Sequence, residues 1–283
     1  MRSMNGILLI ILPWLYRFFR IPGRVASRIN RLFSVDVNQL STPMIADCRF
    51  GLKIMISNPS DLIQNQLFFQ GYFEHKETRI LGRLLKPGMT VLDVGANIGW
   101  HSLIAASKVG SSGRVISFEP VSATYGHLIE NLRINNCGNV EAHEIGLSND
   151  SRNIDIYSVE KNNDGSNSIF PSASSQLLQK IAVREGAALL RASGVLRVDF
   201  CKIDVEGAEI EVLDGLDEYL SNGLIKIIMI ELNERALRNA GRSGRELVEK
   251  LLNLGYKITD IKNGLRLSFD TGLPIQANLL CSL

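Results

Sequence analysis

The stretch VLDVGANIGWHS, residues 91–102, ends an apolar run on an acid, Asp93, and follows it with Gly95, Asn97 and Gly99. A backbone this bare directly after a strand suits a sharp turn or the close approach of a ligand. Gly95 permits the turn, Gly99 opens the next helix with no Cβ in a ligand's way, and Asp93 can accept from an amine or a hydroxyl. No lysine follows, which excludes a P-loop. The glycines stand four apart in G-A-N-I-G, so the G-x-G-x-x-G dinucleotide fingerprint is missing and a nicotinamide oxidoreductase is disfavoured. Glu119 ends a second apolar run, VISFE, 26 residues after Asp93, where a carboxylate can hold both hydroxyls of a ribose. A single acid is more often a helix cap or a solvated loop residue. An acid for an ammonium and an acid for a ribose, around one glycine loop, together describe a site for S-adenosylmethionine.

The string KIDVEGAE, residues 202–209, ends a further strand. Two-residue alternation puts Lys202 and Asp204 on one face, with Glu206 continuing it if the strand extends that far. Methyl transfer from a sulfonium is an in-line displacement, so a protein mainly aligns and desolvates the partners. A hydroxyl acceptor must also lose a proton. Asp204 or Glu206 can serve as general base or orient the acceptor, with Asp204 also beside the cofactor. The alternative reading makes Lys202 and Asp204 a structural ion pair and Glu206 the cap of a helix starting at Gly207. His101, in the first turn after the glycine loop, is either a neutral imidazole base or a packed side chain. Lys202 and Glu231, the latter ending IIMIE, are candidate substrate contacts. Asp204, Glu206 and Glu231 could assemble oxygen ligands, but their spacing matches no defined metal site and no metal is expected.

These residues need strands to end together. TVLDVG, GRVISFEP, NVEAHEIG, VDFCKIDVEG and LIKIIMIEL read as buried strands of a sheet covered on both faces. Helices are expected at 75–85, 98–109, 123–135 and 209–220, a helical insertion at about 176–192, and a helix over GRELVEKLLNLG that ends at Gly255. FGLKIMIS reads as an earlier strand, and residues 161–175 as a turn-rich loop. YKITDI, Asn263-Gly264 and LRLSF suit a terminal hairpin, with NLLCS as a last strand. Strands alternating with helices predict a doubly wound α/β sheet, whose ligands bind beyond the carboxyl ends of the strands.

The formal net charge of +2 hides an asymmetry. Residues 1–35 carry six arginines and no acid, which leaves 25 basic and 29 acidic side chains in the rest. A weakly acidic body disfavours nucleic acid as a partner. Ile7 to Tyr16 is apolar throughout, yet short of the ~20 residues a spanning helix needs. No small-residue cleavage site follows, so a secretory signal is disfavoured too. Trp14, Phe18 and Phe19 among Arg17, Arg20, Arg24, Arg28 and Arg31 describe a segment lying in an anionic interface, with residues 7–31 as a peripheral membrane contact. The alternative is an apolar helix packed on the protein's own body. Four scattered cysteines suit a reducing compartment, so a cytoplasmic location at the inner membrane face is expected. The division expected is 1–35 as this segment, 36–85 as a lead-in, and 86–283 as the main domain.

In order, VLDVGANIGWHS, GRVISFEP, NVEAHEIGLSND, DGSNS, FCKIDVEGAEIEVLDGL and IIMIELNE resemble the motifs of the FkbM-type S-adenosylmethionine-dependent methyltransferases, over residues 74–234. The resemblance implies the class I methyltransferase fold, a mostly parallel seven-stranded sheet with one antiparallel C-terminal strand, here with an N-terminal helical extension. It implies O-methylation of small molecules or glycans. Gly146 and Leu147, past the third strand, then border the adenine through backbone groups. The loop at 164–168 resembles the family's glycine-serine loop and is expected to close over the cofactor, with Ser166 as a substrate contact. The leading expectation is an O-methyltransferase for a sugar hydroxyl of a glycan or glycolipid. An O- or N-methyltransferase of a small secondary metabolite is the alternative, and a catalytically silent membrane-surface module is the reading from another class.

Overall fold

The computed structural model describes residues 4–19, 21, 23–159, 163–172, 175–267 and 272–283. Helices α1 (Met4–Phe18) and α2 (Gly23–Leu32) open the chain, followed by a hairpin of β1 (Met44–Asp47) and β2 (Lys53–Ile56). Next come α3 (Leu62–Gln70) and α4 (His75–Leu84). Strands and helices then alternate through β3 (Thr90–Val94), α5 (Trp100–Val109), β4 (Arg114–Phe118), α6 (Ser122–Ile134) and β5 (Val140–His143). A separate three-stranded sheet of β6 (Gly146–Ser148), β7 (Arg152–Ser158) and β8 (Gln176–Glu185) interrupts this alternation. It resumes with α7 (Gly186–Ala192), β9 (Val198–Ile203), α8 (Glu209–Gly215), α9 (Asp217–Ser221) and β10 (Ile225–Asn233). The chain closes with α10 (Glu234–Asn239), α11 (Gly244–Asn253), β11 (Lys257–Asp260) and β12 (Gln276–Ser282).

The main sheet has seven strands in the order β11-β12-β10-β9-β3-β4-β5. β3 lies parallel to both β4 and β9, and β12 runs antiparallel between β10 and β11. The chain enters at the centre, winds out to β5, and returns to β9 on the other side of β3. That reversal opens a crevice at the carboxyl ends of β3 and β9. Alternate residues of β3 face opposite layers: Leu92 joins the core that includes residues of α8, α9 and α11, and Val91 the core that includes residues of α3 and α5. Covering both faces explains the unbroken apolar runs, and the expected seven-stranded class I methyltransferase fold is what forms.

Several elements differ from expectation. Residues 176–185 are strand rather than helix: Ile181 and Val183 are buried at period two, and only 186–192 is helical. The third strand stops at His143, and Gly146 begins β6 in the small sheet. The helix expected over 209–220 breaks at Leu216 into α8 and α9. At the hairpin, Asn263 and Gly264 do turn the chain, with the Leu265 N–H donating to Asn263 Oδ1 at 2.8 Å. Among the described residues its second arm makes one bridge, Thr259 to Arg266, and β11 forms its ladder with β12. The last two residues of LRLSF lie outside the described residues. Helix α3, capped by Asp61 accepting from the Gln64 N–H at 2.9 Å, was not foreseen, nor was β1.

Candidate active site

A cavity of about 280 Å³ opens at the carboxyl ends of β3, β4, β9 and β10. Gly95 lines its floor and Gly99 precedes α5 behind it, with φ of 82° and 90°, a region that favours glycine. Their bareness serves packing against the protein itself rather than the ligand approach expected of Gly99. A Cβ on Gly95 would stand 1.9 Å from the carbonyl oxygen of Asp204, and one on Gly99 would stand 2.6 Å from Leu128 Cδ1. The first strand end therefore nests directly on the fourth. Asn97, also left-handed at φ 49°, accepts from the Ile98 N–H at 2.7 Å through its own Oδ1.

Glu119 lines the cavity from the end of β4. One carboxylate oxygen accepts from the Asn97 N–H at 2.9 Å and the other from the Val121 N–H at 3.0 Å. Each oxygen keeps a second lone pair, so the carboxylate can accept two further hydroxyl protons. Burial pushes its pKa up to about 7, against the pull of the two N–H groups. Asp93 is not among the residues lining the cavity. It is buried behind the loop, where its Oδ2 accepts from Ser102 Oγ at 2.6 Å and Ser102 meets Ser117 Oγ at 2.8 Å. Its Oδ1 has no hydrogen-bond partner among the described residues, and burial raises its pKa.

On the other side, Lys202 is the single cation among the described residues lining the cavity. Its Nζ lies 2.9 Å from Asp204 Oδ2, so the ion pair weighed from the sequence is present. Burial works to lower the pKa of this ammonium, but Asp204, Asp93 and Glu74 outweigh it and hold the pKa above its ordinary value. The carboxylates of Asp204, Glu206 and Glu231 each bring an oxygen within 4.8 Å of the others, a spacing that a cation could bridge. Glu231 accepts from Gln276 at 2.9 Å, while its Oε2 is buried without a hydrogen-bond partner among the described residues. Burial and then Asp204 push Glu231 up to about 7.

His101 is buried on the first turn of α5, its pKa held well below 6.5 by burial and then by Lys202, so the ring is neutral at pH 7. Its Nε2 faces Glu74 Oε2 at 3.4 Å. Glu74 was not foreseen. It precedes α4 in a left-handed conformation, φ 43° and ψ 68°, and lines the cavity. Burial first and Asp204 next push its pKa up to about 8, against Lys202. Glu74, Asn97 and Glu206 all line the cavity with positive φ, and strained backbone of this kind gathers at functional sites. No motif marks Glu74, because it reaches the site from the lead-in rather than from a sheet strand.

The KIDVEGAE string holds its shape through its last acid. The buried Glu209 carboxylate accepts from the Gly207 N–H at 3.1 Å and the Val205 N–H at 3.3 Å, so Glu209, not Glu206, caps this turn. Glu206 is left with φ 52° and receives the Asn233 amide at 3.4 Å. Ser168 donates to the Glu206 carbonyl at 2.7 Å and ties the 163–172 segment over this turn. Gly146 and Leu147 line the cavity from β6, and Gly165 and Asn167 line it from the segment above. The Ser166 hydroxyl instead donates to the Asn163 carbonyl at 2.9 Å and is not among the lining residues.

The cavity thus joins the Glu119 cradle to a group of acids around Lys202, an arrangement suited to methyl transfer from a sulfonium. Comparisons with known proteins agree. The methyltransferase FkbM domain model matches residues 93–258, more than half of the chain. The methyltransferase sdnD of Sordaria araneosa is 30% identical over 158 residues, covering 45% of this chain and 60% of that protein. Methyltransferase 1 of Beauveria bassiana is 29% identical over 160 residues, 50% of this chain and 64% of that one. The hexuronic acid methyltransferase AglP of Haloferax volcanii is 30% identical over 141 residues, 50% of this chain and 54% of that one. In each case the match spans less than two thirds of the relative's length. Among solved structures, a SAM dependent methyltransferase from Aquifex aeolicus aligns with a TM-score of 0.41 at 16% identity, covering 74% of this chain and 89% of that one. The chain belongs to the FkbM family of S-adenosylmethionine-dependent methyltransferases.

Proposed function

We propose that this chain transfers the methyl group of S-adenosylmethionine to a sugar hydroxyl of a glycan or glycolipid. The observation that carries the reading is the pairing, in one cavity, of the Glu119 cradle with the His101, Asp204, Glu206 and Glu74 cluster. The residues fit the cofactor, because Glu119 presents spare lone pairs where a ribose would bind and the Gly95–Gly99 turn leaves the carboxyl end of β3 uncovered. When bound, the cofactor supplies an electrophilic methyl group.

The chain's own residues do the rest. Glu119 holds the ribose, Gly146 and Leu147 border the adenine, and Asp93 supports the loop from behind through Ser102. Lys202, Glu231 and Ser166 are assigned to the acceptor side, Ser166 through the loop it closes. The acceptor hydroxyl loses its proton to His101 Nε2 or to the Asp204 and Glu206 carboxylates. The imidazole is unprotonated at pH 7, as a proton acceptor must be. Residues 86–283 form the methyltransferase domain, 36–85 contribute a wall with Ile63 and Glu74, and 1–35 are an extension. The sugar acceptor is supported by AglP, a hexuronic acid methyltransferase. An acceptor on a lipid carrier would put the work at the cytoplasmic face of a membrane.

The test begins with calorimetric titration of S-adenosylmethionine and NAD into the chain and its Glu119→Gln variant. Micromolar binding of the sulfur compound alone is expected, weakened tenfold or more in the variant, as befits loss of hydrogen bonds to a charged group. Methyl-labelled cofactor is then incubated with lipid-linked glycans, and the released sugars are analysed for methyl ethers. Label recovered in a non-sugar metabolite would replace the glycan reading, and no cofactor binding would overturn both.

A further inference from the structure

Helix α1 is apolar on two sides, and only one has a partner among the described residues. Leu9, Leu12 and Tyr16 are buried, and the Tyr16 ring meets Phe69 of α3 with centroids 5.9 Å apart. Arg17 donates to the carbonyls of Asp47, Leu67 and Phe68, so this arginine belongs to the body rather than to a lipid surface as the sequence suggested. The opposite stripe follows the helical repeat through Ile7, Ile10, Ile11, Trp14 and Phe18, which are 45–66% exposed. Trp14 and Phe18 stack on one another at 5.1 Å. A helix apolar all round is expected to be buried on every side.

We propose that this outer stripe of α1 inserts into the interface of an anionic lipid bilayer, with α1 lying in the membrane plane. Charge complementarity selects this occupant. The first 35 residues contain no acid, and α2 presents Arg28 and Arg31, both exposed, from the helix next in sequence. Arg28 and Arg31, three apart, share one helical face. An interfacial helix couples an apolar insert to arginines at the phosphates in this way. Spanning is excluded for α1, because its 15 residues reach only about 22 Å against a hydrocarbon core of ~30 Å. The docking also orients the enzyme. α3, which packs on α1, lines the cavity with Leu62 and Ile63, so the membrane face and the active site share one wall. This surface extends the location proposed above, but its test reads lipid binding alone and can fail or succeed apart from the acceptor.

The full chain is mixed with vesicles of phosphatidylcholine, with and without one third phosphatidylglycerol, and floated on a density gradient. At least tenfold stronger partitioning to the anionic vesicles is expected, falling as salt screens the arginines. Trp14→Glu with Phe18→Glu should abolish flotation, and Arg28→Glu with Arg31→Glu should remove the preference for anionic lipid. Should a variant fail to fold, the unmodified chain still gives an answer. Trp14 is exposed whereas Trp100 is buried, so lipids brominated on their acyl chains should quench the tryptophan emission by a third or more. Failure to float, flotation untouched by the substitutions, or absence of quenching would overturn the proposal. So would a lipid-free dimer that the Trp14→Glu, Phe18→Glu chain no longer forms, which would assign the stripe to a second copy.

Discussion

The two sides of the cavity treat their acids differently. At the end of β4, Glu119 is held by two backbone N–H groups, one on each oxygen, and its role is fixed by geometry. Around β9 and β10, Glu74, Asp204, Glu206 and Glu231 crowd about Lys202, and one oxygen of Glu231 has no hydrogen-bond partner among the described residues. A group that only has to hold a ligand can be fixed in advance by donors that leave its remaining lone pairs for that ligand. Groups that must pass a proton need lone pairs left open towards the substrate. One side is a mould and the other a proton reservoir.

The sharpest way to break this contrast is to remove the cation. Lys202→Met leaves the Asp204 and Asp93 carboxyls without their buried cation, and we expect a loss of about 3–5 kcal/mol in urea unfolding at pH 7. The loss should shrink as the pH falls and the Asp93 carboxyl, its pKa raised by burial, takes up a proton. Equal stability at pH 7 would mean that the cluster is already neutral there. Next in size is Gly95→Ala, whose Cβ meets the Asp204 carbonyl at a positive φ. A cost of about 3 kcal/mol is expected, with cofactor affinity falling alongside. If affinity fell with melting unchanged, the glycine would serve the ligand rather than the joint between the strand ends.

The smallest effect is a slope. Glu74 has a reference pKa of 4.5 and is held at about 8 in the folded chain. Between those values the folded form binds more protons than the unfolded one, so this contribution to stability is full below pH 4.5 and is lost as pH rises through 8. Glu119, Glu209 and Glu231 act in the same direction but are each held near 7. Glu74→Gln should therefore flatten the fall in stability between pH 4.5 and about 8, in denaturant melts taken across that range. An unaltered slope would remove Glu74 from the reservoir.

Much of this was legible in the sequence because buried parallel strands and their terminal acids are written as local strings. The runs ending at Asp93, Glu119 and Glu231 read directly, and so did the sheet they build. What escaped depends on neighbours distant in the chain. Residues 176–185 carry Leu177 and Leu178 on an exposed stretch, which blurs the alternation of Ile181 and Val183 and imitates a helix. Glu209 closes its own string, yet its role follows from the turn it caps. Glu74 arrives from a helix start outside the sheet. Asp93 reads as a ligand contact, while the fold turns it towards Ser102.

The nesting of Gly95 on the Asp204 carbonyl has a consequence for inheritance. The cofactor turn and the acid string lie far apart in the chain, yet neither backbone can shift without displacing the other. Exchange of either segment with a relative should succeed only when both travel together, so the two behave as a single heritable unit.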